Sequence, residues 1–593
     1  MQERGSVLLS RTGWVGCLLG AAATGYFLFG LAGQVRSPFL NFSIAAIEIL
    51  SAGFFLAEFF AIPRRTDRLG RSLWLLILVL IVEEALLGLL PPTSRDELTH
   101  HLAIPKLYAQ AGRIIEVPIA PYAYYPMLLD MLYTPWVYWG YDFVPKLIHG
   151  LYAGLTGLLL FAYLDRRTNA VYGLLGFFFF LSMPVIARLS HWGYIDLGIT
   201  FYTTAAMLSL LRWRETRTDL RWLSLAALSL GFALATKPNG LVAALLIGVL
   251  FALMLLKPPR PGLMAFARSL LVFGGLALLP FVPWLWKNWS QTGNPFFPLL
   301  GNWFAAASGA AGTGAGIGTP GIFIKRELFY GENFWQIVAL PLRIFLSGRD
   351  DNPQFFDGVL TPFLIVFLPW AFKGKWREEK KYLAAFALLF LFYAIFLVDL
   401  RIRYILSIVP PLVILAAYGI FNIYLSIKRP AYLFAAIGLF ALWHGIYAWR
   451  YWQEEAPLGY LSGAVSRDAY LARRLPEYTS FQYIAKATAA DAKIYLLFIG
   501  RRAYYCERNY FHDGGELPGF LLAAIRDSAS PDQIEQKLKT QGITHLMVRE
   551  DLLTAFLANN LNPAQAALWN RFAETRLRED FRDRGHAVYQ IHG

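Results

Sequence analysis

The chain alternates between long apolar runs and short charged joints. Runs of about twenty residues with few or no charges are the length a helix needs to cross a bilayer core. On that pattern we place about thirteen spans, near 13–33, 40–62, 72–91, 144–164, 170–188, 194–212, 222–236, 239–256, 267–286, 358–373, 381–398, 404–425 and 431–449. A shorter apolar stretch, Met127 to Trp139, is too brief to cross and is expected to lie in the interface. The even-numbered joints read PRRTDRLGR, DRRTN, RWRETRTDLR, KPPRPG, KGKWREEKK and SIKRP. All are short and basic. Basic residues collect in cytoplasmic loops, so the alternation predicts a cytoplasmic N-terminus and a C-terminal part on the far side. Arg4 and Arg11 precede the first run as in a signal peptide, but the run is long enough to be a retained helix.

The odd-numbered joints differ in kind. Two are long, 92–143 and 287–357, and the last opens into residues 450–593. The expected organisation is a helical membrane domain over 1–449 and a small α/β domain over 450–593. In the latter, AKIYLLFIG and ITHLMVRE read as short buried strands. Between them SPDQIEQKLKTQG reads as a helix stopped at Gly542. The stretch SGAAGTGAGIGTPG (Ser308 to Gly321) has glycines in a nucleotide-loop spacing. It lacks the strand and helix that such a loop needs, so a flap is the better reading.

Composition agrees with a polytopic membrane protein: of 593 residues, 56% are hydrophobic and 16% charged. The net charge of +14 is assigned to the basic joints rather than to nucleic-acid binding, for which no module is present. Cys17 and Cys506 offer neither a disulfide framework nor a zinc spacing.

Against that apolar background the ionisable residues on the far side stand out. DELTHHLAIPK places Asp96, Glu97, His100, His101 and Lys106 beside a span. Part of this has a structural explanation. Ser94 and Glu97 form a capping-box pattern, and Asp96 and His100 are spaced to pair along a helix. Asp196 begins the sixth span, Lys237 lies in the tight turn ATKPNG, and Arg401 and Arg403 open the twelfth span in RIRYILSIVPP. Charges at such depth are costly and therefore candidates for function. Their other readings are a helix cap for Asp196 and interfacial anchors for Lys237 and Arg403. Glu83 and Glu84, inside the third span, have no assigned role.

The ordered set DELTHHLAIPK, Asp196, TGNPFFP (Thr292 to Pro298) and RIRYILSIVPPL resembles the GT-C superfamily of polyprenyl-phosphate-dependent glycosyltransferases. It is most similar to the bacterial branch with the aminoarabinose transferase to lipid A and the protein O-mannosyltransferases. The resemblance covers Asp96 through Leu412. It implies a GT-C membrane fold and a polyprenyl-phosphate-linked sugar donor in the bacterial inner membrane. The acceptor could be a lipid, a glycan or a protein hydroxyl. It also implies an Asp general base in the first outer loop, and an inverting single displacement. Asp96 is the candidate base, with Glu97 behind it, and Asp196 is a candidate for holding acceptor or sugar. Lys106, Lys237, Arg401 and Arg403 are candidates for the donor phosphate. His100, Tyr124, Tyr125 and Tyr404 are candidates for sugar or acceptor contacts, although belt aromatics explain the tyrosines equally well. No cofactor is certain from the sequence; a divalent cation is the candidate, for which Asp96, Glu97, His100 and His101 are suitable oxygen and nitrogen ligands. Asp96, Asp196, Lys237 and Arg403 are expected to share one cavity. The rival readings are a lipid or glycan transporter, for which no inverted repeat is evident, and a non-catalytic envelope assembly subunit. An asparagine-directed oligosaccharyltransferase is disfavoured by the absence of a W-W-D-type signature.

Overall fold

A computed structural model describes residues 2–257, 262–301, 303–304, 321–375, 377–397, 400–515 and 517–592. Residues 308–320 of the glycine-rich stretch lie outside them. The chain divides into two compact units. The first comprises Met1–Leu89, Gly112–Ile114 and Tyr124–Pro457. The second comprises Leu90–Ala111, Ile115–Ala123 and Leu458–Gly593. The 92–143 segment is thus divided, part of it belonging with the C-terminal sheet.

The first unit is helical. Among the described residues five helices are long and apolar enough to cross a membrane: Glu3–Leu31, Pro38–Arg65, Val144–Arg167, Ile402–Ser426 and Pro430–Glu455. The number rises to seven if each of two bent pairs is one span. The expected span 170–188 is one such pair, Ala170–Leu181 and Pro184–Ser190, bent by 70°. Leu263–Leu278 and Val282–Thr292 form the other, at 52°. Both breaks carry prolines, Pro184 in one and Pro280 and Pro283 in the other. Proline removes an amide donor and clashes with the preceding turn. Over 358–373 the expected span is instead two four-residue turns, Phe363–Val366 and Leu368–Ala371. Pro362 and Pro369 interrupt this stretch for the same reason. The thirteen-span count remains finer than these observations.

Small residues let the helices approach. A methyl placed on Gly16 of the first helix would sit 2.0 Å from the ring of Phe201. The even-numbered joints meet in space. Arg166 and Arg167 pair with Glu215, Arg167 pairs with Glu379, and Lys257 pairs with Glu378. Four of the basic joints therefore lie at one end of the unit, as the alternation requires.

The second unit is built on a five-stranded sheet of order β2-β1-β3-β5-β4. Its strands are β1 (Lys493–Leu497), β2 (Asn509–Phe511), β3 (His545–Arg549), β4 (Leu577–Asp583) and β5 (His586–Ile591). β1 runs parallel to β2 and β3, while β5 is antiparallel to β3 and β4. Alternating side chains bury both faces. Tyr495, Leu497, Leu546 and Val548 pack on one face, and Ile494, Leu496 and Met547 on the other. The predicted helix between the strands is Pro531–Thr540, and Gly542 takes a φ of +72° beyond its end. The Leu90–Ala111 part of the first outer segment is held in this unit by hydrogen bonds to its backbone carbonyls. Tyr504 N donates to Leu98 O at 3.1 Å, and Tyr505 OH donates to Pro92 O at 2.8 Å.

Candidate functional site

In the helical unit, Asp196 is the first residue of the Asp196–Thr216 helix and is fully buried. Lys237 closes the Leu220–Thr236 helix, where the chain turns at Pro238 into Gly240–Leu256. Its Nζ donates to Asp196 Oδ1 at 2.5 Å. The ammonium also lies 4.9 Å from the ring centre of Tyr404. Arg403 sits between two aromatics, 5.3 Å from the Tyr194 ring and 5.1 Å from that of Tyr404. Asn239 Nδ2 donates to Tyr404 O at 2.9 Å, tying the Lys237 turn to the start of the twelfth segment. Asp196 Oδ2 is buried with no hydrogen-bond partner among the described residues. One carboxylate and two cations therefore share a wall of tyrosines. Three of the four residues expected in one cavity come together here; Asp96 belongs to the other unit.

The segment bearing Asp196 is clamped by His149 on the Val144–Arg167 helix. His149 Nδ1 lies 2.9 Å from Leu189 O and 2.8 Å from Trp192 O, and Nε2 lies 2.8 Å from Leu197 N. Carbonyls on one side and an amide on the other leave one consistent assignment: Nδ1 carries the proton and Nε2 accepts. Gly150 lets the segment approach, since a methyl there would meet Ser190 O at 2.6 Å. Two more buried groups brace the same region. His191 Nδ1 meets Glu84 Oε2 at 2.8 Å, and Lys146 Nζ donates to Leu87 O at 3.3 Å. Glu84 thereby gains the role that the sequence left blank.

Arg401 stands apart from Arg403, with its Nη1 3.4 Å from Asp357 Oδ2. Tyr124 and Tyr125 gather with the TGNPFFP segment. Asn288 Nδ2 donates to Tyr124 O at 2.8 Å and to Phe297 O at 3.0 Å. Buried Lys287 lies 5.9 Å from the Tyr124 ring centre. Tyr125, Pro238, Trp284 and Phe297 line a narrow apolar cavity of about 30 Å³.

In the sheet-bearing unit, Glu97–His101 forms a π turn, closed by Leu102 N donating to Glu97 O at 3.0 Å, followed by the Ala103–Ala111 helix. The wider turn brings both i+4 and i+5 beneath residue i. Asp96, His100 and His101 consequently present ligand atoms within 4.8 Å of one another. A carboxylate with two imidazoles suits a zinc-like or manganese-like cation. Glu97 is outside that group; its Oε2 accepts from Ser94 N at 3.0 Å, one arm of the capping box. His100 stacks on Tyr122 at 4.5 Å. Lys106 differs from its expected phosphate role: Nζ donates to Tyr504 O and Glu507 Oε1, both at 2.8 Å, and to Cys506 O at 3.4 Å. Its three donors are committed within its own unit, the geometry of an anchor.

The model of the dolichyl-phosphate-mannose-protein mannosyltransferase family matches residues 96–291. No curated protein matches. The solved structure of ArnT from Cupriavidus metallidurans in the apo state aligns with a TM-score of 0.53 at 15% identity, over 86% of this chain and 96% of that one. The same protein bound to undecaprenyl phosphate aligns at 0.50 and 14%, over 87% and 97%. The resemblance to the GT-C superfamily holds. The family match takes in Asp96, Asp196 and Lys237, while the GT-C-like fold carries Arg401, Arg403 and Tyr404 beyond it. Within this helical unit the sequence missed Lys146, His149, His191 and Lys287. The signal was available for two of them. Lys146 and His149 sit in the first turns of an apolar span, where ionisable groups ask for a reason.

Proposed function

We propose that this protein is a membrane glycosyltransferase. It moves a sugar from a polyprenyl-phosphate donor to an acceptor hydroxyl on the extracytoplasmic face of a bacterial inner membrane. The observation that carries the reading is the buried Asp196–Lys237 pair flanked by Arg403. Cations held in a low-dielectric setting stabilise charge that grows on a departing phosphate. Lys237 and Arg403 take that role, with Arg401 further out beside Asp357. Asp196 holds Lys237 in place and offers its second oxygen to a hydroxyl of sugar or acceptor. Asp96 removes the acceptor proton. The acceptor oxygen bonds to the anomeric carbon as the carbon–oxygen bond to phosphate breaks, the bonding pair leaves with the phosphate, and the configuration inverts. If a divalent cation takes part, Asp96, His100 and His101 are the residues that would hold it, and it would supply Lewis acidity at the acceptor oxygen.

The family match over 96–291 and the likeness to a GT-C enzyme support the donor class. Tyr124 and Tyr125 are the aromatics offered for contact with an isoprenoid chain or a sugar face. The test is transfer from a purified polyprenyl-phosphate sugar by Asp96→Asn protein in native-like lipid. Loss of transfer with an unchanged melting temperature supports Asp96 as base. Full transfer removes it from the mechanism.

A further inference from the structure

The sheet-bearing unit contains a cavity of about 280 Å³ that the reading above does not use. Arg95, Phe498, Arg501, His512, Leu517 and Leu552 are among the residues that line it. Its place in the sheet is informative. β1 lies between two parallel neighbours, β2 and β3, so the chain leaves β1 for one side and later returns on the other. In open α/β sheets, ligands bind in the crevice beyond the carboxyl ends of strands where the order reverses in this way. Phe498, Ile499, Gly500 and Arg501 directly follow β1 and line this cavity. Phe498 and Arg501 hold φ values of 58° and 61°, strained backbone for a side-chain-bearing residue and of a kind that clusters at ligand sites.

The lining is chemically mixed in a specific way. Arg95 is exposed and forms no ion pair or hydrogen bond among the described residues. Arg501 Nη1 donates to Gly514 O at 3.0 Å, and its guanidinium lies 5.7 Å from the ring centre of Tyr122. Asp513 is occupied internally: Oδ1 accepts from Phe520 N at 2.8 Å and Oδ2 from Tyr495 OH at 2.5 Å. His512 Nδ1 lies 3.0 Å from Asp513 O, which fixes the proton on Nδ1 and leaves Nε2 as an acceptor. The site therefore offers two guanidiniums, an acceptor for a hydroxyl and an aromatic flank. Its volume, near the lower end of the ~300–1,000 Å³ usual for small-ligand sites, suits one sugar ring.

We propose that this cavity binds a sugar unit bearing a phosphate or carboxylate, and that this unit belongs to the acceptor. The second half rests on Asp96 being the base. Arg95 immediately precedes Asp96, and Tyr122 is shared between Arg501 and His100. The anion lies between Arg95 and Arg501, where a charge-assisted fork contributes most. A hydroxyl donates to His512, and the ring rests on Phe498.

Calorimetric titration of the full chain in nanodiscs with glucose 6-phosphate, glucuronate, glucose and inorganic phosphate tests this. Expected is binding of the two anionic sugars at least tenfold tighter than glucose or phosphate. That binding should weaken at least tenfold in Arg95→Gln, whose exposed side chain supports no fold contact, and in Arg501→Gln. Equal binding of glucose, equal binding of inorganic phosphate, or wild-type binding by both variants overturns the proposal. Asp96→Asn protein separates the two readings. It should retain anionic-sugar binding whether or not it transfers. In transfer assays with an anionic acceptor, Arg95→Gln should raise the acceptor KM with kcat unchanged. An unchanged KM refutes the assignment to the acceptor while leaving the role of Asp96 intact.

Discussion

His149 Nε2 accepts the backbone amide of Leu197 at 2.8 Å, one residue beyond the buried carboxylate of Asp196. The imidazole thereby does for this helix what a polar cap residue usually does, from a different helix. Its opposite nitrogen holds the carbonyls of Leu189 and Trp192. His149→Ala orphans an amide and frees the segment, at a cost of about 1–3 kcal/mol. Since displacement by about 1 Å can cost ~100-fold in rate, kcat should fall on the order of 100-fold with donor KM little changed. His149→Gln, which can accept and donate at once, should recover part of the loss. Steady-state transfer assays and melting temperatures check both.

Lys237 and Asp196 form a buried pair, with side chains 15% and 1% exposed. Removing one partner of such a pair typically costs ~3–5 kcal/mol, because the other charge remains buried alone. Lys237→Met should therefore lower the melting temperature, and Asp196→Asn in the same background should restore part of it. Both variants should lack transfer. Thermal unfolding of the single and double variants measures the coupling.

Lys106 and Glu507 show how an ion pair divides unequally. Glu507 is 56% exposed, so Glu507→Gln should cost ~0–1 kcal/mol. Lys106→Met removes bonds to Tyr504 O and Cys506 O as well, and should cost roughly 1–3 kcal/mol. Hydrogen exchange of amides 103–111 should rise clearly in the lysine variant and barely in the glutamate variant.

Acid should weaken the sheet-bearing unit. Burial holds His512, His545 and His586 below the ordinary imidazole value. Neutral imidazoles thus contribute stability that is complete above the unfolded value near ~6.5. It is lost as pH falls through the lower folded-state values, because the unfolded chain then binds more protons. Exchange protection of β1 and β3, corrected for intrinsic rates, should fall between pH 7 and pH 5, and less so in His512→Gln.

Much of the architecture was written in periodicity and charge. The basic joints announced which helix ends lie together, and the pairs Arg167–Glu379 and Lys257–Glu378 join them. The strands KIYLL and HLMVR were legible as short apolar runs between turns. Proline breaks were less legible, because a hydropathy window averages over Pro184 and Pro369 while the backbone does not. The site divided similarly. Asp196, Lys237 and Arg403 were singled out because each was a costly charge at an apolar boundary. His149 escaped because its role lies in backbone hydrogen bonds, which leave no spacing rule in the sequence. Lys106 looked like a phosphate ligand because its acceptors are some four hundred residues away along the chain.

The π turn at Glu97–His101 amounts to one surplus residue in an otherwise α-helical stretch. Closing the same residues into an ordinary α turn would rotate everything downstream by about 100°. Asp96 would then face a single histidine, and Lys106 would swing off Glu507 toward another quadrant. The triad of possible ligands and the clasp to the sheet thus depend on the same insertion. A chain that lost it would forfeit both in one step, however well every individual side chain were kept.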